Sequence, residues 1–171
     1  MNNFFVTRDA LRVTDFVTRH GLTRHLFPYL CSMADVHEPE VRSYNMSRIK
    51  GKNTKPELIV RKFLFSKGFR YRIHDKRLPG KPDVVLPKYK IVIFIHGCYW
   101  HGHEGCRYFV IPKTDTDWWL HKINGNKQND KKNISLLETT GWRVITIYEC
   151  QLKKVKLDNT FQNLVSLLLS K

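Results

Sequence analysis

A short loop rich in cysteine and histidine is the chemically distinctive part of the sequence. Three histidines and two cysteines lie between His96 and Cys106, and Cys150 follows 44 residues after Cys106. Three thiols and one imidazole form a donor set that suits Zn²⁺, whereas clusters of carboxylates alone are typical of magnesium or calcium. The spacing therefore predicts a closed structural zinc site made by Cys98, Cys106, Cys150 and one histidine.

Two histidines of this loop are candidates for the fourth zinc position. The spacing from Cys98 allows coordination by His101 as well as by His103, and it leaves the choice open. A closed site has no position for water, so this zinc would stabilise the fold rather than catalyse a reaction. His96 and His101 are then available as acid and base, because histidine titrates close to neutral pH. The alternative to a zinc site is that the three cysteines are buried free thiols whose spacing is a coincidence.

A second candidate site begins at Asp83, which follows Pro82 at the start of a predicted strand, while a later apolar strand ends at Ile95 and His96. A carboxylate at the head of one strand and a histidine at the end of the next can together hold Mg²⁺ and a nucleophilic water, as hydrolysis of a phosphodiester requires. Mg²⁺ needs only one or two carboxylates, so a single Asp is enough. The alternative is that Asp83 has no catalytic role and only helps to form the turn after Pro82.

Aromatic residues stand among the basic ones near these sites. Tyr99 and Trp100 belong to the loop, and Trp118 and Trp119 lie at a predicted helix start. Aromatic side chains on a loop can insert between base pairs of DNA, although they can also pack in a core. For Trp142, which begins a predicted strand, we expect core packing.

The net charge of the chain is strongly positive. Lys and Arg number 30 against 15 Asp and Glu, which gives +15 over 171 residues. This excess indicates a polyanionic partner, either DNA, RNA or an anionic membrane. The apolar runs are far shorter than the ~18 residues that a spanning helix needs, and a cleavable secretory signal fits the first residues poorly. We therefore expect an intracellular protein without a membrane segment.

The length suits one domain with a short appendage. Residues 1–32 supply only +2 of the net charge and contain no lysine. We expect them to form an N-terminal extension that is disordered or lies upstream of the true start, and we expect residues 33–171 to form the domain.

The elements that must position the candidate residues follow from local patterns. The sequence T-x-x-E from Thr54 to Glu57 predicts a capped helix that ends at Gly68. The apolar run 90–95 predicts a central strand covered on both faces. Further strands are expected at 69–73, 83–86 and 142–148, and further helices at 115–123, at 128–140 and from a cap at Asp158. This order predicts an α/β domain with a small central mixed sheet flanked by helices.

Four segments of the chain resemble the very short patch repair (Vsr) mismatch endonucleases: LPGKPD at 78–83, VIFIHGCYWH at 92–101, GWRV at 141–144 and YEC at 148–150. The resemblance runs from Met33 to about Lys156. It implies a restriction-endonuclease-like fold and a Mg²⁺-dependent nick in one strand, 5′ to the thymine of a T:G mismatch left by deamination of 5-methylcytosine. A restriction-like nuclease with another target and a non-catalytic, zinc-stabilised DNA-binding module are the alternatives.

The resemblance also implies roles for single residues. Asp83 would bind Mg²⁺ together with the backbone carbonyl of Ile95. His101 would be the general base, and His96 would be the second histidine near the scissile phosphate. Two acidic residues would support the metal waters and the base: Glu57 and Asp130.

For zinc and DNA, the resemblance implies three further groups. The zinc ligands would be Cys98, His103, Cys106 and Cys150. The intercalating aromatics would be Tyr99, Trp100 and Trp119, and the residues that contact the mismatched bases would be Lys122 and Asn126. An arm over residues 33–48 would enter the minor groove. The family further implies a monomer in the bacterial cytoplasm, with mismatch-repair factors and a cognate cytosine-5 methyltransferase as partners.

Overall fold

A mixed sheet of three short strands forms the centre of the fold. The structure is a computed structural model that describes residues 38–170, so the expectations for residues 1–32 lie outside it. In this part of the chain the helices and strands follow in the order α1 Pro39–Ser47, α2 Lys55–Ser66, β1 Val84–Leu86, β2 Ile91–His96, α3 Thr116–Thr139, β3 Arg143–Tyr148 and α4 Lys154–Leu169. Short 3₁₀ turns follow β1 at Pro87–Tyr89 and β3 at Glu149–Leu152.

The central strand β2 pairs with both neighbours. It runs antiparallel to β1, with Val84 opposite Ile93, and parallel to β3, with His96 opposite Tyr148. All six residues of β2 are buried. This confirms the strand predicted from the apolar run, because a strand that is covered on both faces needs apolar side chains at every position.

Two apolar clusters cover the two faces of the sheet. On one face, α2 and α4 pack their buried residues against Ile91, Ile93 and Ile95. On the other face, Leu137 of α3 packs with Val92 and Phe94. The alternation along β2 follows from the strand period of two. The predicted small mixed sheet flanked by helices is therefore confirmed.

The expected core position of Trp142 is also supported. Its half-buried ring packs against the α3 side of the sheet, and Lys90 Nζ lies 5.5 Å from the ring centroid.

The capping box of α2 is present as predicted. Thr54 is the N-cap, its hydroxyl accepts from the Glu57 backbone N–H, and the Glu57 carboxylate accepts from the Thr54 backbone N–H. The helix ends before Gly68, whose φ of +80° is a left-handed conformation that glycine adopts at little cost. The last helix packs beside α2, where the rings of Phe63 and Phe161 stack at 3.8 Å.

Two predicted elements were wrong. The strand expected at 69–73 is reduced to a single bridge between Arg72 and Val85, and the left-handed φ of +47° at His74 turns the chain away from the sheet. The two helices expected at 115–123 and 128–140 are one helix, α3. Gly125 costs a helix only about 1 kcal/mol relative to Ala, and the burial of Ile123 and Leu137 on either side of it outweighs that cost.

A third prediction, the start of the last helix, was also wrong. The helix α4 begins at Lys154, one turn before the expected cap, so Asp158 is an exposed residue inside it. The extra turn brings Leu157 against the core, which favours the earlier start. Within residues 38–170, helices that combine the length and the apolar character required to cross a bilayer are absent.

The core arrangement makes a testable prediction at Leu86, which is fully buried in β1. Leu86→Ala should lower the free energy of unfolding by about 2–5 kcal/mol, because truncation removes apolar burial and leaves a cavity. Leu136→Ala is the matched control, since Leu136 is 44% exposed on α3 and should shift stability by no more than about 0.5 kcal/mol. Urea unfolding of both variants is the measurement. Equal losses would contradict the burial of β1.

Candidate active site and metal cluster

A groove of about 1110 Å³ lies between the start of α2, the end of β2 and the middle of α3. Six lysines line it: Lys50, Lys52, Lys55, Lys76, Lys81 and Lys122. All the residues expected to act in catalysis or to bind Mg²⁺ also line it: Glu57, Asp83, Ile95, His96, His101 and Asp130. The groove thus joins candidate catalytic groups to a positively charged rim that suits a phosphate backbone.

Asp83 stands at the entrance to β1, one residue before the strand. Its Oδ2 accepts a hydrogen bond from the Ile95 backbone N–H at 2.7 Å. Burial raises the pKa of Asp83, and the nearby Glu57 carboxylate raises it further, whereas the Ile95 N–H lowers it. A cation in the groove would stabilise the ionised form of this half-buried carboxylate.

Glu57 is buried and its carboxylate is occupied by four donors. Oε1 accepts from the backbone N–H and the hydroxyl of Thr54, and Oε2 accepts from the Asn53 N–H and from Arg61 Nη2 at 2.6 Å. Glu57 is therefore held beside Asp83 as a fixed negative charge, and the capping of α2 is what fixes it.

Two residues that the sequence analysis did not single out complete this corner. Arg61 Nη2 lies 3.0 Å from His74 Nε2, and His74 Nδ1 lies 3.9 Å from Asp83 Oδ1. Arg61 is only 6% exposed and lies among Val60 and Leu64 on the buried face of α2. An arginine one turn after Glu57, on an otherwise apolar face, is the signal that could have revealed a buried ion pair there.

His96 and His101 stack face to face, with ring centroids 3.7 Å apart and planes 6° apart. His101 Nδ1 lies 2.6 Å from Asp130 Oδ2. Because an ionised carboxylate only accepts, Nδ1 carries the hydrogen and Nε2 keeps a free lone pair. Burial lowers the pKa of His96 to about 4, and a proton on His101 would lower it in the same direction. At neutral pH His96 is therefore uncharged.

The cysteines come together with His103 and not with His101. Donor atoms of Cys98, His103, Cys106 and Cys150 all lie within 4.8 Å of one another, and none of the three cysteines forms a disulfide in the described chain. Of the two histidines that the spacing left open, His103 joins the thiols and His101 turns to Asp130. We call these four residues the Cys/His cluster.

The thiols of the Cys/His cluster differ in their environment. Burial raises the pKa of Cys98 to about 12, whereas the Tyr108 backbone N–H lowers the pKa of Cys106. Without a metal, the Cys98 thiol would stay protonated at neutral pH. A bound zinc ion would stabilise its thiolate.

One aromatic ring separates the Cys/His cluster from the stacked histidines. The Tyr148 ring stacks on His103 at 3.8 Å and 6°, and it meets His96 edge to face at 5.8 Å. A continuous series of rings thus runs from His103 through Tyr148 and His96 to His101.

The expected intercalating aromatics form a cluster beside the groove. Trp100 lines the groove, and its ring lies 5.2 Å from Tyr99 and 6.1 Å from Trp119. The ring centroids of Tyr99 and Trp119 lie 5.5 Å apart, and neither residue lines the groove. Trp118, which stacks edge to face on Trp119, is 58% exposed.

Two side chains of α3 fasten the loop to the helix. Asn126 donates from Nδ2 to the Trp100 carbonyl at 2.8 Å, and Lys127 pairs with Glu104. Asn126 and Lys122, one turn apart on α3, both line the groove. The expected base-contacting residues are therefore next to Trp100.

Comparisons with known proteins agree on one family. The model of the DNA mismatch endonuclease Vsr family matches residues 34–107. The type II nicking enzyme V.NmeAIP of Neisseria meningitidis serogroup A is 54% identical over 71% of this chain and 86% of its own length. The DNA mismatch endonuclease Vsr of Escherichia coli K12 is 44% identical over 71% of this chain and 77% of its own.

This chain is also similar to a solved structure, the catalytic domain of the homing endonuclease I-Bth0305I. The match covers 69% of this chain and the whole of that domain. It has a TM-score of 0.45 and 22% identity.

The low pKa of His96 predicts a pH-dependent stability. Between pH 6.5 and about 4 the unfolded chain binds a proton on this histidine that the folded protein does not, so stability falls as the pH decreases through this range. From pH 7 to pH 5 the loss at His96 should be roughly 2 kcal/mol. The His96→Phe variant keeps a ring in the stack but cannot titrate at this position. Between pH 7 and pH 5 it should therefore lose roughly 2 kcal/mol less stability than the wild type. Urea unfolding at both pH values tests this, and equal losses in the two proteins would refute it.

Proposed function

The chain belongs to the Vsr family of DNA endonucleases, and from this premise we propose that it nicks one strand of duplex DNA 5′ to the thymine of a T:G mismatch. The observation that carries the proposal is the presence of Asp83, His96, His101 and Asp130 in one lysine-lined groove beside Trp100. Such a nick would start very short patch repair of deaminated 5-methylcytosine. Membership of an endonuclease family favours an enzyme over the non-catalytic DNA-binding module.

His101 is the general base in this proposal. Its Nδ1–H is held by Asp130, so Nε2 can accept the proton of a water that attacks the scissile phosphorus. The same logic of an acid that orients a histidine operates in hydrolytic triads. His96 is neutral at pH 7 and stacked on His101, and we assign it to a hydrogen bond with the phosphate.

Asp83 and the Ile95 carbonyl are the proposed Mg²⁺ ligands. The N–H and C=O of one strand residue point to the same edge of the strand, so the Ile95 carbonyl faces the side on which Asp83 lies. A carboxylate and a carbonyl are hard oxygen donors of the kind that Mg²⁺ prefers, which fits this ion. When bound, Mg²⁺ would stabilise the negative charge that develops on the phosphate. Asp130 would support the base by holding His101, and Glu57, whose oxygens already accept four hydrogen bonds, would support the metal waters through its charge.

The Cys/His cluster fits a structural Zn²⁺. Three thiols and one imidazole are a closed tetrahedral donor set, and sulfur ligands of one zinc ion lie about 3.8 Å apart when Zn–S is ~2.3 Å. The donor atoms, all within 4.8 Å of each other, are already close to that spacing. The ion would stabilise the loop that carries His101.

The DNA would be held by the charged rim and distorted by the aromatic cluster. We propose that Tyr99, Trp100 and Trp119 insert beside the mismatch, and that Lys122 and Asn126 contact its bases. Both of the latter carry N–H donors, which suit the carbonyl groups on thymine and guanine. The exposed helix α1 belongs to the arm proposed for the minor groove.

The remaining assignments follow from the family and are proposals as well. We place the functional domain at residues 33–171, with a restriction-endonuclease-like fold and action as a monomer in the bacterial cytoplasm. Mismatch-repair factors and a cognate cytosine-5 methyltransferase are the proposed partners.

A nicking assay on matched duplexes tests the function. With Mg²⁺, the enzyme should nick a T:G duplex 5′ to the thymine and leave the same duplex with C:G intact, and EDTA should stop the reaction. Asp83→Asn should abolish nicking because it removes the charge that binds the ion, with DNA affinity retained. Asp158→Asn, an exposed site on α4, is the control and should nick normally. Equal cutting of both duplexes would favour the restriction-like alternative.

Removal of one zinc ligand tests the Cys/His cluster. Cys150→Ser should reduce bound zinc and lower the unfolding temperature together, because metal binding contributes folding free energy. The measurements are metal analysis by mass spectrometry and thermal unfolding. Asp158→Asn, at an exposed site of α4 outside the cluster, is the control and should leave both values unchanged. Wild-type protein that is folded but free of zinc would end the zinc assignment.

A further inference from the structure

Trp118 is an exposed aromatic residue to which the proposed function gives no role. It lies in the first turn of α3 and is 58% exposed. Its ring meets the ring of Trp119 at 4.7 Å between centroids, with the two planes 86° apart, and Trp119 lies beside Tyr99 and Trp100. A single apolar side chain on a surface needs no partner, but an exposed ring that continues an aromatic cluster indicates a binding surface.

The position of Trp118 on α3 relates it to the groove. Three groove residues of this helix follow one another at intervals of four: Lys122, Asn126 and Asp130. Residues four apart lie on nearly the same side of an α-helix. Trp118 precedes Lys122 by four residues, so it extends this row by one turn, which is about 6 Å along the helix axis. DNA that follows the row past Lys122 would therefore reach Trp118.

The two neighbouring tryptophans differ in how enclosed they are. Trp119 is half-buried, with the rings of Tyr99, Trp100 and Trp118 all within 6.1 Å between centroids. Insertion of Trp119 into DNA requires these rings to part. More than half of the Trp118 surface is accessible, so this ring can accept a base without any rearrangement of the cluster.

The charges near Trp118 favour a contact through the ring itself. Asp115, the N-cap of α3, and Asp117, in its first turn, are both exposed. Their negative charges repel phosphate groups, whereas the lysines that line the groove attract them. Phosphate therefore suits the rim of the groove. The part of DNA that suits Trp118 is the uncharged face of a base.

We infer that Trp118 stacks on an unstacked base beside the mismatch. In an intact duplex the neighbouring bases cover both faces of each base, so a base must leave the stack before it can meet this ring. Insertion of side chains unstacks neighbouring bases at a cost in free energy, and stacking on an aromatic side chain recovers part of that cost. This inference rests on the proposed function, in which the aromatic cluster inserts beside the mismatch.

Replacement of Trp118 by leucine tests the stacking. Trp118→Leu keeps an apolar contact with Trp119 but removes the aromatic face, whereas Trp118→Phe keeps a ring. Affinity for a T:G duplex is measured by fluorescence anisotropy without Mg²⁺, so that the DNA stays uncut. It should fall roughly 10-fold in Trp118→Leu and recover for the most part in Trp118→Phe.

Phe65→Leu is the matched control for this loss of a ring. Phe65 is 61% exposed on α2 and does not line the groove, so this variant should bind DNA as the wild type does. Trp118→Leu should unfold at the wild-type temperature, because the ring is exposed. A lower unfolding temperature would show a structural role for Trp118 and contradict the inference.

Two further measurements identify the part of the DNA that Trp118 meets. The dependence of affinity on salt should be the same in Trp118→Leu and in the wild type, because tryptophan neutralises no phosphate. Abasic sites are then placed one at a time at successive positions on either side of the mismatch. One of them should weaken binding by the wild type and leave Trp118→Leu unaffected, because the variant has already lost that contact. Weaker binding without such a position would refute base stacking.

The remaining outcomes separate this inference from the proposed function. If the wild type nicks a T:G duplex and Trp118→Leu binds it as tightly as the wild type, the inference is wrong and the proposed function stands. If the wild type does not nick, but Trp118→Leu loses affinity with a coupled abasic position, the contact stands and the proposed function is wrong. A wild-type dimer that dissociates in Trp118→Leu, seen by sedimentation, would assign the ring to a second copy of the chain and overturn the inference.

Discussion

The parallel pairing of β2 and β3 is the constraint on which the groove and the Cys/His cluster both depend. Because the strands run in the same direction, His96 and Tyr148 end side by side. The loop after β2 and the turn after β3 therefore both leave the sheet at the carboxyl ends of these two strands. Parallel sheets commonly bind their ligands at this end. Cys150 meets the loop cysteines there, and His101 reaches Asp130 on α3 from the same loop.

The start of α2 brings the acidic side of the groove to this edge. Glu57 closes the capping box, and through Arg61 it is tied to His74 and to the Asp83 backbone. A buried carboxylate and a buried guanidinium are stable here because nearly every hydrogen-bonding atom has a partner. The network places two negative charges close together within a groove whose rim is positive. That combination favours a small cation and a phosphate at the same place.

The sequence predicted the features that depend on local patterns. The capping box and the buried strand β2 follow from residue types within a few positions of each other, and the set of cysteines follows from the donor chemistry of thiols, although Cys150 is 44 residues beyond Cys106. The choice between His101 and His103 did not follow from spacing, because it is set by Asp130, 29 residues along the chain. His74 was missed for the same reason, since Arg61 is 13 residues away, whereas Arg61 was missed although Glu57 lies only one helical turn before it. The two helices expected at 115–123 and 128–140 are one helix because burial of Ile123 and Leu137 outweighs the weak helix preference of the residues between the two segments.

The row of rings from His103 to His101 links two parts of the molecule that have different chemistry. His103 belongs to the Cys/His cluster, whereas His101 and His96 belong to the groove, and Tyr148 fills the space between them. A shift of the cluster would pass along the stack by contact, because packed rings leave no slack. The alignment of the two histidines in the groove is thus coupled by packing to the arrangement of the Cys/His cluster, although no residue of the groove is part of that cluster.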